Sequence, residues 1–203
     1  MNRVEIKKFA KEKIKGRLWE FWKIVLVAMV ATLGLGFIFG LFFLNSKTGF
    51  IGYLLDILLL PLGIGIVSFL ISFINNENFA INDLFNHYKN FLKVTGTLLL
   101  ESIIVCLGFI LLIVPGIYLA FSYLLVPYLL AQRDDLSITD TLRLSRKMMN
   151  GHKIDAFVLG LSFIGWTILG TFTLGLLYIW LYPYMMTTYT KFCLDIIENY
   201  KED

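Results

Sequence analysis

Apolar runs of roughly twenty residues recur along almost the whole sequence, and that is the length a helix needs to cross ~30 Å of hydrocarbon at about 1.5 Å per residue. Inside a bilayer every backbone N–H and C=O has to be bonded within the chain, so runs of this kind fold as helices. Six of them are legible: 24–44, 50–74, 92–114, 116–130, 154–169 and 174–192. Of the 203 residues, 58% are hydrophobic and 16% charged, whereas soluble domains run at about half and about a quarter. A mean hydropathy of +0.74 agrees. The expected fold is all-α and polytopic, one integral membrane domain over 1–203.

Tight turns join the runs in pairs: 45–49 (Asn-Ser-Lys-Thr-Gly), Pro115-Gly116, and 171–173 (Thr-Phe-Thr). Longer polar segments lie between the pairs. The longest is 133–151, where Ser137 has the chemistry of an N-cap, Asp140 sits in the acidic position three residues on, and Asn150-Gly151 supplies a stop. Within it Ile138, Leu142, Met148 and Met149 share one face of a helix, and Asp140, Arg143, Arg146 and Lys147 the other. This is the pattern of a basic amphipathic helix at a membrane surface. Residues 2–23 read the same way, with Val4, Ile6, Phe9, Ile14 and Leu18 beside Lys7, Lys8, Lys11, Lys15 and Arg17, and with Trp19 and Trp22 at headgroup level. The segment is too long and polar for a cleaved secretory signal.

All of the 18 lysines and arginines except Lys47 fall on the same side of a six-span arrangement. The positive-inside rule then puts both termini in the cytoplasm. The polar segments also resemble one another. Residues 78–85 align with 135–142 at an offset of 57, matching Ile81 with Ile138 and Asp83 with Asp140. At an offset of 135, Glu5 pairs with Asp140, Lys11 with Arg146 and Gly16 with Gly151. Pro61, Pro127 and Pro183 each fall in the second run of a pair, as helix kinks. Two readings stay open: a threefold repeat of surface helix plus hairpin (units of about 2–74, 75–132 and 133–203), or chance alignment of apolar sequence.

Several stretches carry a family likeness: Pro115-Gly-Ile-Tyr, Asp135-Leu-Ser, 144–153 (Leu-Ser-Arg-Lys-Met-Met-Asn-Gly-His-Lys), 161–166 (Leu-Ser-Phe-Ile-Gly-Trp) and the closing 180–184 (Trp-Leu-Tyr-Pro-Tyr). On these the chain resembles the bacterial integral membrane proteins filed as domain of unknown function 975. More distantly it is similar to the membrane region of bacterial glycerophosphodiester phosphodiesterases. The resemblance implies a bacterial membrane protein and brings no catalytic residue with it.

Asp56 and Glu101 are the acids well inside apolar runs. A carboxylate at a helix centre costs roughly 2.5–3.5 kcal/mol on insertion scales, so such groups face a bundle interior or water. They stand either in a proton or cation path or as structural groups, Asp56 near the outer headgroups and Glu101 bonded to nearby hydroxyls. His87 and His152 have no companions at metal-ligand spacing, and Cys106 and Cys193 sit in apolar runs as small hydrophobes. No nucleophile elbow, zincin or P-loop pattern occurs. Gly36 and Gly40 allow two helices to approach closely.

No cofactor, metal or catalytic residue is expected. The function expected is that of a non-enzymatic accessory, scaffold or lipid-interacting component of the bacterial cytoplasmic membrane. Its basic residues Lys7, Lys8, Lys11, Lys15, Arg17, Arg143, Arg146 and Lys147 face anionic headgroups, each near-surface charge adding about 1 kcal/mol. Its partners are lipids, another membrane protein or a second copy of itself; nucleic acid is not among them. The alternative is a small transporter or channel built on Asp56 and Glu101.

Overall fold

A computed structural model describes residues 3–43 and 50–200, and all regular structure among them is helical. In chain order the helices are α1 (Arg3–Ile14), α2 (Leu18–Phe43), α3 (Phe50–Asn75), a 3-10 helix (Ile81–Asn90), α4 (Phe91–Leu111), α5 (Ile113–Ser122), α6 (Val126–Gln132), α7 (Ile138–Met148), α8 (Lys153–Phe172) and α9 (Tyr178–Asn199). Five stretches are long and apolar enough to cross a membrane: Leu18–Ile38, Leu54–Asn75, Ile81–Leu111, Ile113–Gln132 and Lys153–Phe172. The sixth expected run differs in character. It begins at Tyr178 rather than 174, and α9 carries Lys191, Asp195 and Glu198 with Thr187, Thr188 and Thr190 buried in the protein.

That burial identifies the centre of the molecule. Leu181, Phe192, Cys193 and Leu194 of α9 meet Leu129 of α6, Met149 at the end of α7, Leu159 and Phe163 of α8, and Ile6 of α1 in one apolar core. A helix surrounded by other helices needs no apolar outer surface, and α9 keeps Thr188 by bonding it back to the Tyr184 carbonyl (2.6 Å) and Thr190 beside the Tyr128 hydroxyl (3.4 Å). A second core joins Phe21 and Ile24 of α2 to Leu62, Phe69, Leu70 and Phe73 of α3, with Leu84 of the 3-10 helix.

The local signals were read correctly at α7. Ser137 Oγ accepts the Asp140 N–H (3.2 Å) and donates to the Asp140 carboxylate (2.5 Å), and Gly151 closes the segment at φ +85°. Thr141, Leu142, Ser145 and Met148 are buried, while Arg143, Arg146 and Lys147 are exposed. The buried side packs on α4 and α6. In α1 the buried positions are Ile6, Ala10 and Ile14, packed along α9, whereas Val4 is 75% exposed.

The turns differ from expectation. The turn at 45–49 and Lys47 lie outside the described residues, as do Asn2 and Lys201. Between α4 and α5 the chain reverses at the extended residue Leu112 (φ −165°, ψ 156°), three residues before Pro115. Pro115 instead occupies the first turn of α5, where its missing N–H is not needed. Gly116 lets α5 lie on α4: a Cβ there would sit 2.4 Å from the Phe109 ring. Pro127 likewise starts a helix, at the N-terminus of α6, rather than kinking one. The last turn runs over 173–177, with Leu174 and Gly175 both left-handed.

Two contacts also depart from three stacked hairpins. The Trp22 indole donates to the Ile179 carbonyl (2.9 Å), and the Lys153 ammonium stands 3.5 Å from the centroid of the Tyr118 ring. A six-span arrangement would put the members of each pair at opposite faces. The cause is visible in α7, which folds back on the α5–α6 break, Ser145 Oγ bonding the Ser122 carbonyl at 3.0 Å. That brings the start of α8 up beside α5.

Candidate functional site

Asp56 is exposed on α3 and lines a cleft of about 400 Å³ with Leu59, Gly63, Leu98 and Pro127. Glu101 is half-buried on α4 and lines a different cleft, of about 480 Å³, with Ser102, Cys106, Phe109 and Ala120 between α4 and α5. The two acids are thus not brought into one path. The hydroxyls near Glu101 are bonded elsewhere, Ser102 to the Leu98 carbonyl (2.8 Å) and Thr97 to the Lys93 carbonyl (2.8 Å).

The prolines reveal a more specific device. Pro183 has no N–H, so the Ile179 carbonyl four residues earlier loses its donor within α9. The Trp22 indole supplies the bond from α2. Pro61 deprives the Ile57 carbonyl in the same way, and the bond from a neighbour falls one residue on, where the Tyr88 hydroxyl donates to the Leu58 carbonyl (3.0 Å). Where no water is at hand, a freed carbonyl needs such a neighbour. Trp22 therefore serves inside the protein, packed against Tyr182, while Trp19 remains 73% exposed.

The basic residues divide in the same manner. Lys8, Lys11, Lys15, Arg143, Arg146 and Lys147 are exposed. Lys7 is not: its ammonium lies 4.4 Å from the Phe163 ring centroid, and burial holds its pKa below the ordinary lysine value. Lys13 is lowered too, by burial and then by the Arg17 charge.

Arg17 is the centre of a site that sequence reading did not single out. Its guanidinium lies 4.2 Å from the Phe73 ring centroid, Nε donates to Glu20 (2.8 Å), and Nη1 donates to the Phe73 carbonyl (3.2 Å) and to Asn76 Oδ1 (2.9 Å). Asn76 stands at φ +59° just past the end of α3, where the Glu77 N–H reaches back to the Ser72 carbonyl (2.9 Å). Arg17 thus caps a second carbonyl of that helix end. The result is a cleft of about 590 Å³ between the first turn of α2 and residues 76–82, with Glu20, Lys23 and Glu77 among its polar groups and Phe69, Phe73 and Phe79 among its aromatic ones. The sequence marks Arg17 as a headgroup cation but gives no sign of the Phe73 and Asn76 groups that it bonds, 56 and 59 residues further on.

A second polar cleft, about 410 Å³, lies among Lys147, Asn150, His152, Asp195 and Asn199; the Asp195 carboxylate there is paired with Lys191 at 2.5 Å. His152 Nδ1 is buried without a partner. Among the described residues no three His, Cys, Asp or Glu side chains gather as a metal ion would require.

The model of the family described as "Protein of unknown function (DUF975)" matches residues 102–200. Over these residues the chain is similar to that family. The DUF975 match opens one residue after Glu101 in α4 and closes at Tyr200, just past α9, so it takes in α7, the second polar cleft and the central helix. The Arg17 cleft and Asp56 precede it. No curated protein and no solved structure matches the chain.

Proposed function

We propose that the protein is a non-enzymatic component of the bacterial cytoplasmic membrane, an accessory, scaffold or lipid-interacting protein whose basic surface meets anionic headgroups. The observation that carries this reading is the pairing of five membrane-compatible apolar helices with exposed cations on the two short helices α1 and α7. Lys8, Lys11 and Lys15 on the first, and Arg143, Arg146 and Lys147 on the second, make no ion pair among the described residues. Both helices bury one side in the protein and leave the charged side outward, which fits amphipathic helices held at a membrane face. The same charges favour the cytoplasmic face for α1 and α7.

A repeated construction is supported at two points. Gly16 and Gly151, 135 residues apart, are both left-handed and each precedes a long apolar helix. Asp83 and Asp140, 57 residues apart, both accept at the start of their helices, from the Ala80 N–H (2.8 Å) and the Ser137 hydroxyl (2.5 Å). The alternative of a transporter using Asp56 and Glu101 draws less support, because the acids line separate clefts.

The test is reconstitution into vesicles of neutral and of anionic lipid at low and high salt, with a Lys8→Gln/Lys11→Gln/Lys15→Gln variant alongside. Anionic lipid should be enriched around the wild-type protein, salt should reduce the enrichment, and the variant should lose much of it. Equal lipid composition around both proteins would refute the headgroup role.

A further inference from the structure

We propose that the cleft around Arg17 binds one phospholipid headgroup that is zwitterionic and carries a primary ammonium, of the phosphoethanolamine type. This deepens the lipid-interacting reading above and rests on it, but it assigns a ligand and a place that the basic surface does not.

The argument starts from charge. Four ionisable groups line the cleft, Arg17, Glu20, Lys23 and Glu77. Arg17 and Glu20 neutralise each other at 2.8 Å. That leaves the Lys23 ammonium on α2, which makes no ion pair among the described residues, and the Glu77 carboxylate beyond α3, whose partner is the neutral Asn75 amide (3.3 Å). One uncompensated cation and one uncompensated anion, on opposite walls of the same cleft, complement a zwitterion. A purely anionic headgroup would satisfy Lys23 and meet Glu77 as a like charge.

Hydrogen-bonding capacity specifies the headgroup further. Arg17 spends Nε and Nη1 on protein acceptors, while no bond is made from Nη2. Together with Lys23 it offers donors to a phosphodiester. On the other wall, the Glu77 carboxylate and the Asn78 amide oxygen accept from an ammonium that has N–H groups to donate. A quaternary ammonium has none. The position suits an amphiphile as well. Ile24 forms part of the lining, and about two turns beyond Lys23, on the same side of α2, Val30 is exposed where an acyl chain would run.

The experiment is native mass spectrometry of the full chain released from detergent after equilibration with equimolar phosphatidylethanolamine, phosphatidylcholine and phosphatidylglycerol of the same acyl chains. Lys23→Gln, Glu77→Gln and, as a control away from the cleft, Lys89→Gln are measured in parallel. The wild type should retain one phosphatidylethanolamine at least fivefold over either competitor. Lys23→Gln should lower that retention several-fold. Glu77→Gln should shift the preference toward phosphatidylglycerol, and Lys89→Gln should leave the ethanolamine preference unchanged. Phosphatidylglycerol or phosphatidylcholine winning in the wild type, or an unchanged ratio in Glu77→Gln, would overturn the assignment while leaving a lipid-interacting protein in place. Retention of no lipid at all would overturn both. The substituted side chains are exposed, and an unchanged elution profile in detergent shows that each variant is folded.

Discussion

The bond between Trp22 and the Ile179 carbonyl admits a quantitative test. Pro183 deprives that carbonyl of its helical donor, and the indole at 2.9 Å replaces it. Trp22→Phe removes the donor while keeping an aromatic ring to pack on Phe21 and Tyr182. An orphaned carbonyl away from water costs about 1–3 kcal/mol, so a loss of about 1–2 kcal/mol is expected from the substitution. In a Pro183→Ala background the restored backbone N–H can satisfy Ile179 itself, and the same Trp22→Phe change should then cost no more than about 0.5 kcal/mol. The packing lost with the larger ring is common to both backgrounds and cancels in the cycle, leaving an interaction energy of about 1 kcal/mol. Reversible unfolding in mixed micelles of increasing denaturing detergent measures all four proteins. Equal costs in both backgrounds would refute the claim that the indole compensates for the proline.

Other substitutions probe the remaining contacts. Gly65→Ala places a Cβ 2.1 Å from the Leu84 carbonyl oxygen, a backbone atom that cannot swing aside. The 3-10 helix must lift from α3, straining the Tyr88–Leu58 and Ser68–His87 bonds, and about 2–3 kcal/mol of stability should be lost in the same micelle assay. Ser137→Ala should cost about 1 kcal/mol by removing the cap of α7, whereas Ser137→Asp should restore most of it. Asp135 is held below the ordinary carboxylate range by its bonds to Arg133. Its folded-state value lies below its unfolded one, so its contribution is present above the unfolded pKa of about 3.9 and fades as pH falls through the folded value. The stability difference between wild type and Asp135→Asn should therefore be largest near neutral pH and vanish in strong acid.

What the sequence disclosed depended on how local each signal was. The cap at Ser137, the acid at Asp140 and the stop at Gly151 act within a few residues of themselves, and α7 follows them closely. The apolar runs are equally local, because bilayer crossing is a matter of length and composition. Pro115-Gly116 misled because proline and glycine have two uses each. They make turns, but they also start helices and let backbones approach, and here α5 needs the second of each pair. The 3-10 helix over 81–90 was hidden for another reason: its shape answers to Gly65 and Leu58 on α3, which no pattern within the segment records. Asp56 and Glu101 stood out correctly as polar residues in apolar runs, but which cleft each one lines is decided by α5 and α6. The Arg17 cleft needed the ends of two helices to meet: Arg17 stands out as a basic residue of a surface segment, but its partners Phe73 and Asn76 are 56 and 59 residues away.

The packing of α1 along α9 also has a consequence for biogenesis. The stripe of α1 that carries Ile6 finds its cover in the core built on α9, the last of the described helices, so during synthesis α1 emerges long before that partner exists. Until α9 is made, that stripe has to be shielded by lipid or by an insertion factor, and the closing of the core is the final step of assembly. A chain arrested after α8 would show the difference directly: α1 would be open to protease in the arrested form and protected once α9 has been added.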